Sequence, residues 1–192
     1  KHIIQTICDF YEIENPDLKC EIYFDEAEEK SAKDILKELE KDFIVIEPNS
    51  KKNYTPNREY PFEKWQKVVD DLSKSIQVVQ LGTSGSKVLE KVVDLTGRTN
   101  FRTASCVIRS AKCLVTCEGG LVHSANAVET KSVVVITGYQ SPKMVAYPEN
   151  INIDISSHGP CGLKVKCKDC ESDAASHDYK EIVKATERLL NS

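Results

Sequence analysis

The stretch Glu118-Gly119-Gly120-Leu121-Val122-His123 combines residue types suited to holding a phosphorylated ligand. Its two glycines fall between an aliphatic run ending at Cys117 and a helical pattern opening at Leu121. Glycine lets the backbone approach a ligand closely, and the first N–H groups of a helix lack partners inside it, so such a junction suits a phosphate or diphosphate. Glu118 is placed to accept hydrogen bonds from sugar hydroxyls, and His123, one turn in, to donate to a phosphate oxygen. A tight turn capped by Glu118 with a satisfied surface histidine fits the same residues, and the residues alone leave both readings open.

A second group is the loop from Pro48-Asn49-Ser50-Lys51-Lys52 to Arg58-Glu59-Tyr60-Pro61. It offers cations and hydroxyls after a strand, with Arg58 just before a helix start, where a guanidinium can pair with phosphate through two parallel bonds. A solvated basic loop is the plainer reading. Gly82-Thr83-Ser84-Gly85-Ser86-Lys87 lacks the G-x-x-x-x-G-K-(S/T) spacing, which argues against a nucleotide hydrolase. No G-x-G-x-x-G follows the first strand, which weakens a nicotinamide-dinucleotide reading.

The third group is His158-x-x-Cys161, Cys167-x-x-Cys170 and His177. Three thiols and an imidazole match a closed tetrahedral set for zinc or iron, so Cys161, Cys167, Cys170 and His158 are candidate ligands of a structural metal. Free or redox-labile thiols are the alternative. The other five cysteines, Cys8, Cys20, Cys106, Cys113 and Cys117, mostly sit in apolar segments and read as small buried hydrophobes. Without a charged-then-apolar leader, a disulfide framework is not expected.

The elements that must position these residues follow from periodicity. Ile3, Ile4, Ile7 and Phe10 predict an opening helix interrupted at Asn15-Pro16, and Cys20–Phe24 a short strand or extended segment. Ala32, Ile35, Leu36 and Leu39 recur at helical spacing. Phe43–Ile46, Ile76–Leu81, Cys113–Cys117 and Ser132–Thr137 read as buried strands, and Ile151–Ile155 as an edge strand. Helices are predicted over Pro61–Leu72, around Val88, Leu89, Val92 and Val93, around Ala104–Ala111, over Leu121–Val128 and around Ile182–Leu190. Strands alternating with helices mean crossover units and a mostly parallel sheet covered on both faces, an α/β fold of three layers. Ligands then sit beyond the carboxyl ends of the strands. The loops to watch are Glu47–Tyr60, Gly82–Lys87, Glu118–Leu121 and Thr137–Pro142.

The chain has 192 residues, with 26 Lys and Arg against 30 Asp and Glu, a formal charge of −4. That mildly acidic balance argues against sequence-independent nucleic-acid binding. The 40% apolar and 29% charged fractions exclude fibrous and disordered classes. The longest purely aliphatic run, Val133–Ile136, is far short of the roughly 20 apolar residues of a membrane-spanning helix.

From Phe43 onward the order of these motifs resembles the C-terminal half of glycosyltransferase family 9, the ADP-heptose:lipopolysaccharide heptosyltransferases. The family pattern runs from a strand into H-P-G-S, a Lys before W-P, and a strand ending in Gly, then through G-K-T-S-L to D-(S/T)-G-x-x-H-x-A. The corresponding stretches here are Ile46-Glu47-Pro48-Asn49-Ser50, Arg58-Glu59-Tyr60-Pro61 with Trp65 beyond, Val79-Gln80-Leu81-Gly82, Gly97-Arg98-Thr99-Asn100-Phe101, and Glu118-Gly119-Gly120-Leu121-Val122-His123-Ser124-Ala125. Glu118 stands where the family usually has Asp, and Arg58 where it usually has Lys. After Gly82, Ser84, Ser86 and Lys87 occupy the region where heptosyltransferases place an acidic residue on the donor ribose.

The resemblance implies a Rossmann-like domain (residues 42–192), the donor-binding half of a two-domain B-type glycosyltransferase, with residues 1–41 connecting from an N-terminal domain outside this sequence. It implies that Asn49, Ser50 and Arg58 line the diphosphate, that Thr99 lies near the base, and that Glu118, Gly119, Gly120, Leu121 and His123 surround diphosphate and sugar. The expected partners are a nucleotide-sugar donor and a lipopolysaccharide or other surface-glycan acceptor. No metal is expected to be required for transfer, and the location expected is cytoplasmic, peripheral at most at the inner membrane. The general base belongs to the N-terminal domain, so this chain alone is expected to bind donor weakly and give no turnover. A non-catalytic nucleotide-binding module and a nucleotide-sugar 2-epimerase-like domain are the competing expectations.

Overall fold

The computed structural model describes residues 1–50 and 54–191. Its helices are α1 (Ile3–Phe10), α2 (Glu26–Leu36), α3 (Phe62–Leu72), α4 (Phe101–Ser110), α5 (Gly120–Ala127), α6 (Pro142–Val145), α7 (Lys168–Ser176) and α8 (Lys180–Leu190). Its strands are β1 (Phe43–Glu47), β2 (Gln77–Gln80), β3 (Val93–Asp94), β4 (Leu114–Cys117), β5 (Ser132–Ile136) and β6 (Ile151–Asp154), and a 3-10 turn covers Pro56–Arg58.

All the strand pairs are parallel, in the order β3-β2-β1-β4-β5-β6. Side chains alternate across each strand, and both faces of the central strands β1, β4 and β5 are buried. Ile44 and Ile46 of β1 pack with Trp65, Val68, Val69 and Leu72 of α3 and with Ile182 of α8. Phe43 and Val45 pack on the opposite side with Ala104, Val107 and Ile108 of α4 and with Leu121 and Ala125 of α5. The unbroken apolar runs of the sequence are thus strands covered on two faces, as parallel sheets require. Helix α2 lies outside α4, where Arg102 pairs with Glu28 and Arg109 with Glu29.

Two features depart from expectation. The segment around Val88–Val93 is not a helix; only Val93–Asp94 is regular, as β3. The buried side chain of Gln80 accepts from Leu89 N–H (2.8 Å) and donates to Lys87 O (2.8 Å), while Gln66 bonds both N–H and C=O of Glu90. These bonds replace the helical ladder, and Leu89 still reaches the core, so tertiary contacts override the local pattern. Residues 20–24 form the extended alternative, outside the sheet, held where Cys20 N–H meets Asn126 Oδ1 at 2.7 Å. Helices α6 and α7 have too few apolar positions to be read from periodicity.

Gly138 follows β5 at φ +90°, and a Cβ there would lie 2.7 Å from Ser156 Oγ. Its carbonyl accepts Cys161 N–H at 2.8 Å, so it seats the cysteine-bearing loop against the sheet. Gly138→Ala is expected to destabilise the fold by about 1–3 kcal/mol. Thermal denaturation checks this, and an unchanged midpoint would show that the turn tolerates a side chain.

Candidate functional site

Because the strands are parallel, their carboxyl ends share one edge of the sheet. The chain moves outward from β1 to β2 and β3 on one side, and from β4 to β5 and β6 on the other. Crevices for ligands form where the order reverses in this way. Here that position lies between the end of β1, which leads into Glu47-Pro48-Asn49-Ser50, and the end of β4, which leads into Glu118-Gly119-Gly120.

Glu118 is 3% exposed at that edge. Its Oε1 accepts Arg58 Nε at 3.1 Å, while its Oε2 is buried without a partner among the described residues. Burial pushes its carboxyl up, and Arg58 pulls it partly back. The 3-10 turn, capped where Thr55 Oγ1 accepts Asn57 N–H, delivers Arg58 to this spot. Arg58 Nη2 donates to Gln140 Oε1, and the guanidinium lies 4.7 Å from the Tyr54 ring centroid and 5.2 Å from that of Tyr139. Two aromatic faces and a carboxylate therefore hold one cation at the crevice.

Gly119 is the N-cap of α5 and brings no side chain to its free N–H groups. The Cα of Gly120 faces the Phe101 ring, so the start of α4, just after Thr99 and Asn100, adjoins the start of α5. Thr99 immediately precedes Asn100, the N-cap of α4. His123 Nδ1 lies 2.6 Å from Tyr147 Oη. Burial lowers the pKa of His123, helped by the His2 and Arg58 charges.

Asn49 and Ser50 sit at the end of β1 as expected, but each is engaged within the protein. Asn49 Nδ2 donates to Lys87 O at 3.1 Å, and Ser50 Oγ donates to Glu59 Oε1 at 3.4 Å. Lys51 and Lys52 lie outside the described residues. On the far side of this loop, toward α3 and α7, a pocket of about 590 Å³ is lined by residues including Asn49, Ser50, Tyr60, Phe62, Cys167 and Ala174. Glu118 and His123 are not among its lining residues.

The cysteine group converges in part. Cys170 Sγ lies 3.5 Å from Cys161 Sγ and 3.5 Å from His158 Nε2. One ligand atom each from His158, Cys167 and Cys170 falls within 4.8 Å of the others. A tetrahedral centre with bonds of about 2.3 Å separates its sulfurs by roughly 3.7 Å, so the spacing suits a metal. Cys167 occupies the N-cap position of α7, and N–H groups of Cys170 and Asp169 lower its thiol pKa, whereas burial and neighbouring thiols raise that of Cys170. His177 stands apart from this group: its Nδ1 is 2.9 Å from Tyr60 Oη. The buried Asn57 fastens the loop, donating to Leu163 O (2.9 Å) and Val165 O (2.8 Å) and accepting Cys167 N–H (2.8 Å).

Residues missed from the sequence are the tyrosines around Arg58, Gln140, Asn57, Tyr147 and Glu47. Single polar or aromatic residues in loops carry no periodic signal. Glu47 had one: a carboxylate at the end of an aliphatic strand, before a proline. Burial pushes it up to about 7.

The family model for glycosyltransferase family 9 (heptosyltransferase) matches residues 2–174. Among solved structures, a family 9 glycosyltransferase from Veillonella parvula is 17% identical, with a TM-score of 0.78 over 100% of this chain and 61% of its own. E. coli ADP-heptose lps heptosyltransferase II is 19% identical, with a TM-score of 0.69 over 94% of this chain and 56% of its own. The dodecameric iron-containing heptosyltransferase TibC of E. coli, in complex with ADP-D-beta-D-heptose, is 14% identical, with a TM-score of 0.59 over 80% of this chain and 46% of its own. The likeness establishes a shared fold, and the chain spans about half to three fifths of these relatives. Among curated proteins nothing matches the sequence.

A raised carboxyl such as Glu47 gives stability that is complete below its ordinary pKa near 4.5 and is lost as pH climbs through about 7. Glu47→Gln is therefore expected to stabilise the chain at pH 8 by up to roughly 3 kcal/mol and to change little at pH 4. Denaturant unfolding at the two pH values checks this, and equal effects at both would contradict it.

Proposed function

The chain belongs to glycosyltransferase family 9, and from that premise we propose that it is the donor-holding half of an enzyme transferring a sugar from a nucleoside diphosphate to a glycan or glycolipid hydroxyl. The acceptor oxygen bonds to the anomeric carbon, and the bond from that carbon to the diphosphate oxygen breaks. The leaving diphosphate keeps the electron pair, and the acceptor proton passes to a base outside this chain. The observation carrying the reading is that Arg58 pairs with Glu118 at the end of β4, two residues before the start of α5, whose N-cap Gly119 brings no side chain and whose first turn carries His123.

Each residue has a role in that scheme. The N–H groups around Gly119, Gly120 and Leu121 bind the diphosphate and offset its growing charge as the sugar leaves. Arg58, held by Glu118 and Gln140 through Nε and Nη2, turns its remaining donors to the same anion. Glu118 Oε2, buried and without a partner among the described residues, accepts a donor hydroxyl. Thr99 borders the base. ADP-heptose, which TibC holds in its structure, is the leading donor. No helix of the described residues is long and apolar enough to cross a membrane.

Cys161, Cys167, Cys170 and His158 are read as ligands of a structural zinc or iron ion. The donor set of three thiols and an imidazole, and its spacing, support this, and TibC is described as iron-containing. Such an ion cross-links the 158–170 loop and supplies nothing to the transfer step.

Thermal-shift titration with ADP, UDP, GDP and CDP tests the donor site. ADP near 100 times its dissociation constant is expected to stabilise the chain by about 2.7 kcal/mol, and His123→Ala to weaken binding about tenfold. Stabilisation by none of the four would overturn the donor site in this chain. Metal analysis of the purified chain is expected to find about one zinc or iron per chain, with Cys170→Ser lowering the thermal midpoint. Metal-free protein with an unchanged midpoint in that variant contradicts the centre.

A further inference from the structure

His123 has one ring nitrogen committed inside the protein. Its Nδ1 meets Tyr147 Oη at 2.6 Å, with the rings edge-on at 5.6 Å and 80°. Tyr147 is wholly buried, enclosed by Val122, Val134, Ile136 and Val145. Two residues of the N-terminal segment reach it. The His2 ring lies 4.9 Å away, and Cys20 Sγ lies 3.2 Å from the same phenol oxygen.

The phenol has one hydrogen and two polar neighbours. An imidazole nitrogen is a good acceptor, whereas a thiol is a weak acceptor that can still donate its S–H. All three groups are served when Cys20 S–H donates to Tyr147 Oη and Tyr147 O–H donates to His123 Nδ1. The reverse direction spends the phenol hydrogen on sulfur. Burial keeps the phenol protonated and able to donate.

We propose that Tyr147, backed by Cys20, is a positioning residue that fixes His123 in the tautomer carrying its hydrogen on Nε2. The opposite edge of the ring then presents an N–H near the start of α5, where the wrong tautomer would present a lone pair and repel an anion. His123 thereby donates as a neutral group, adding a directed bond to the helix N–H groups. This consequence rests on the donor-site reading; the tautomer assignment rests on the geometry alone. It also gives the segment holding His2 and Cys20 a task at the site, although it lies about a hundred residues away in sequence.

Long-range nitrogen–proton NMR correlation of the His123 ring, in the unaltered chain without ligand, tests the assignment. The expected spectrum shows Nδ1 unprotonated and Nε2 protonated, and Tyr147→Phe is expected to give a mixture of tautomers. ADP binding should fall about 3- to 10-fold in Tyr147→Phe, with no further loss when that change is added to His123→Ala. A hydrogen on Nδ1 in the unaltered chain, or an unshifted tautomer in Tyr147→Phe, overturns the proposal. If Tyr147→Phe does not fold, the spectrum of the unaltered chain decides alone. If the tautomer shifts but ADP binds no form of the chain, the donor-site reading fails and the role of Tyr147 stands.

Discussion

A carboxylate buried to 3% exposure at a strand end needs a cation against it to remain ionised, and for Glu118 that cation is Arg58. Much of the surrounding structure exists to keep the two together. The 3-10 turn after Thr55 aims Arg58 inward, Tyr54 and Tyr139 flank its guanidinium, and Gln140 takes a second bond. Asn57, next in the chain, is bound to the loop between Leu163 and Cys167. Thr137 Oγ1 at the end of β5 donates to Asn57 O at 2.6 Å. Removing either partner of the ion pair leaves a buried charge uncompensated, which is why the pair constrains so many neighbours.

The sheet supplies the other half of the arrangement. With all the strands parallel, every strand delivers its following loop to one edge, and the reversal between β1 and β4 opens a crevice between two of them. Glu118 leaves β4 there, and α5 begins two residues later with its N–H groups uncapped by any side chain. A buried carboxylate and a helix start thus stand side by side, one suited to hydroxyl groups and the other to an anion. A nucleoside diphosphate sugar carries both.

What was legible in the sequence follows from which signals are periodic. Phe43–Ile46 and the Val133–Ile136 run within Ser132–Thr137 announce buried strands because the residues on both faces are apolar, and their placement in the sheet agrees. Gly119-Gly120 announces a strand-to-helix junction because it falls where the aliphatic run ends and the helical spacing begins, and glycine favours the interior of neither element. Val88–Val93 misled because four apolar residues at helical spacing say nothing of Gln66 and Gln80, whose side chains take over that backbone's hydrogen bonds. The cysteine group was legible in part: Cys161 and Cys170 do meet, whereas His177, nearby in sequence, packs on Tyr60. The partners of Arg58 and His123 were illegible, since Tyr139 and Tyr147 are single residues brought in by tertiary folding.

The central claim is that a donor diphosphate docks at the start of α5, between the ends of β1 and β4. Backbone amide NMR of the chain titrated with ADP tests it most directly. The account predicts that the largest shifts fall on the amides of Gly119, Gly120 and Leu121 and on the Arg58 side chain. Shifts confined to Phe62, Glu63 and Ala174, around the 590 Å³ pocket, would place the nucleotide on the other side of the loop after β1 and contradict it.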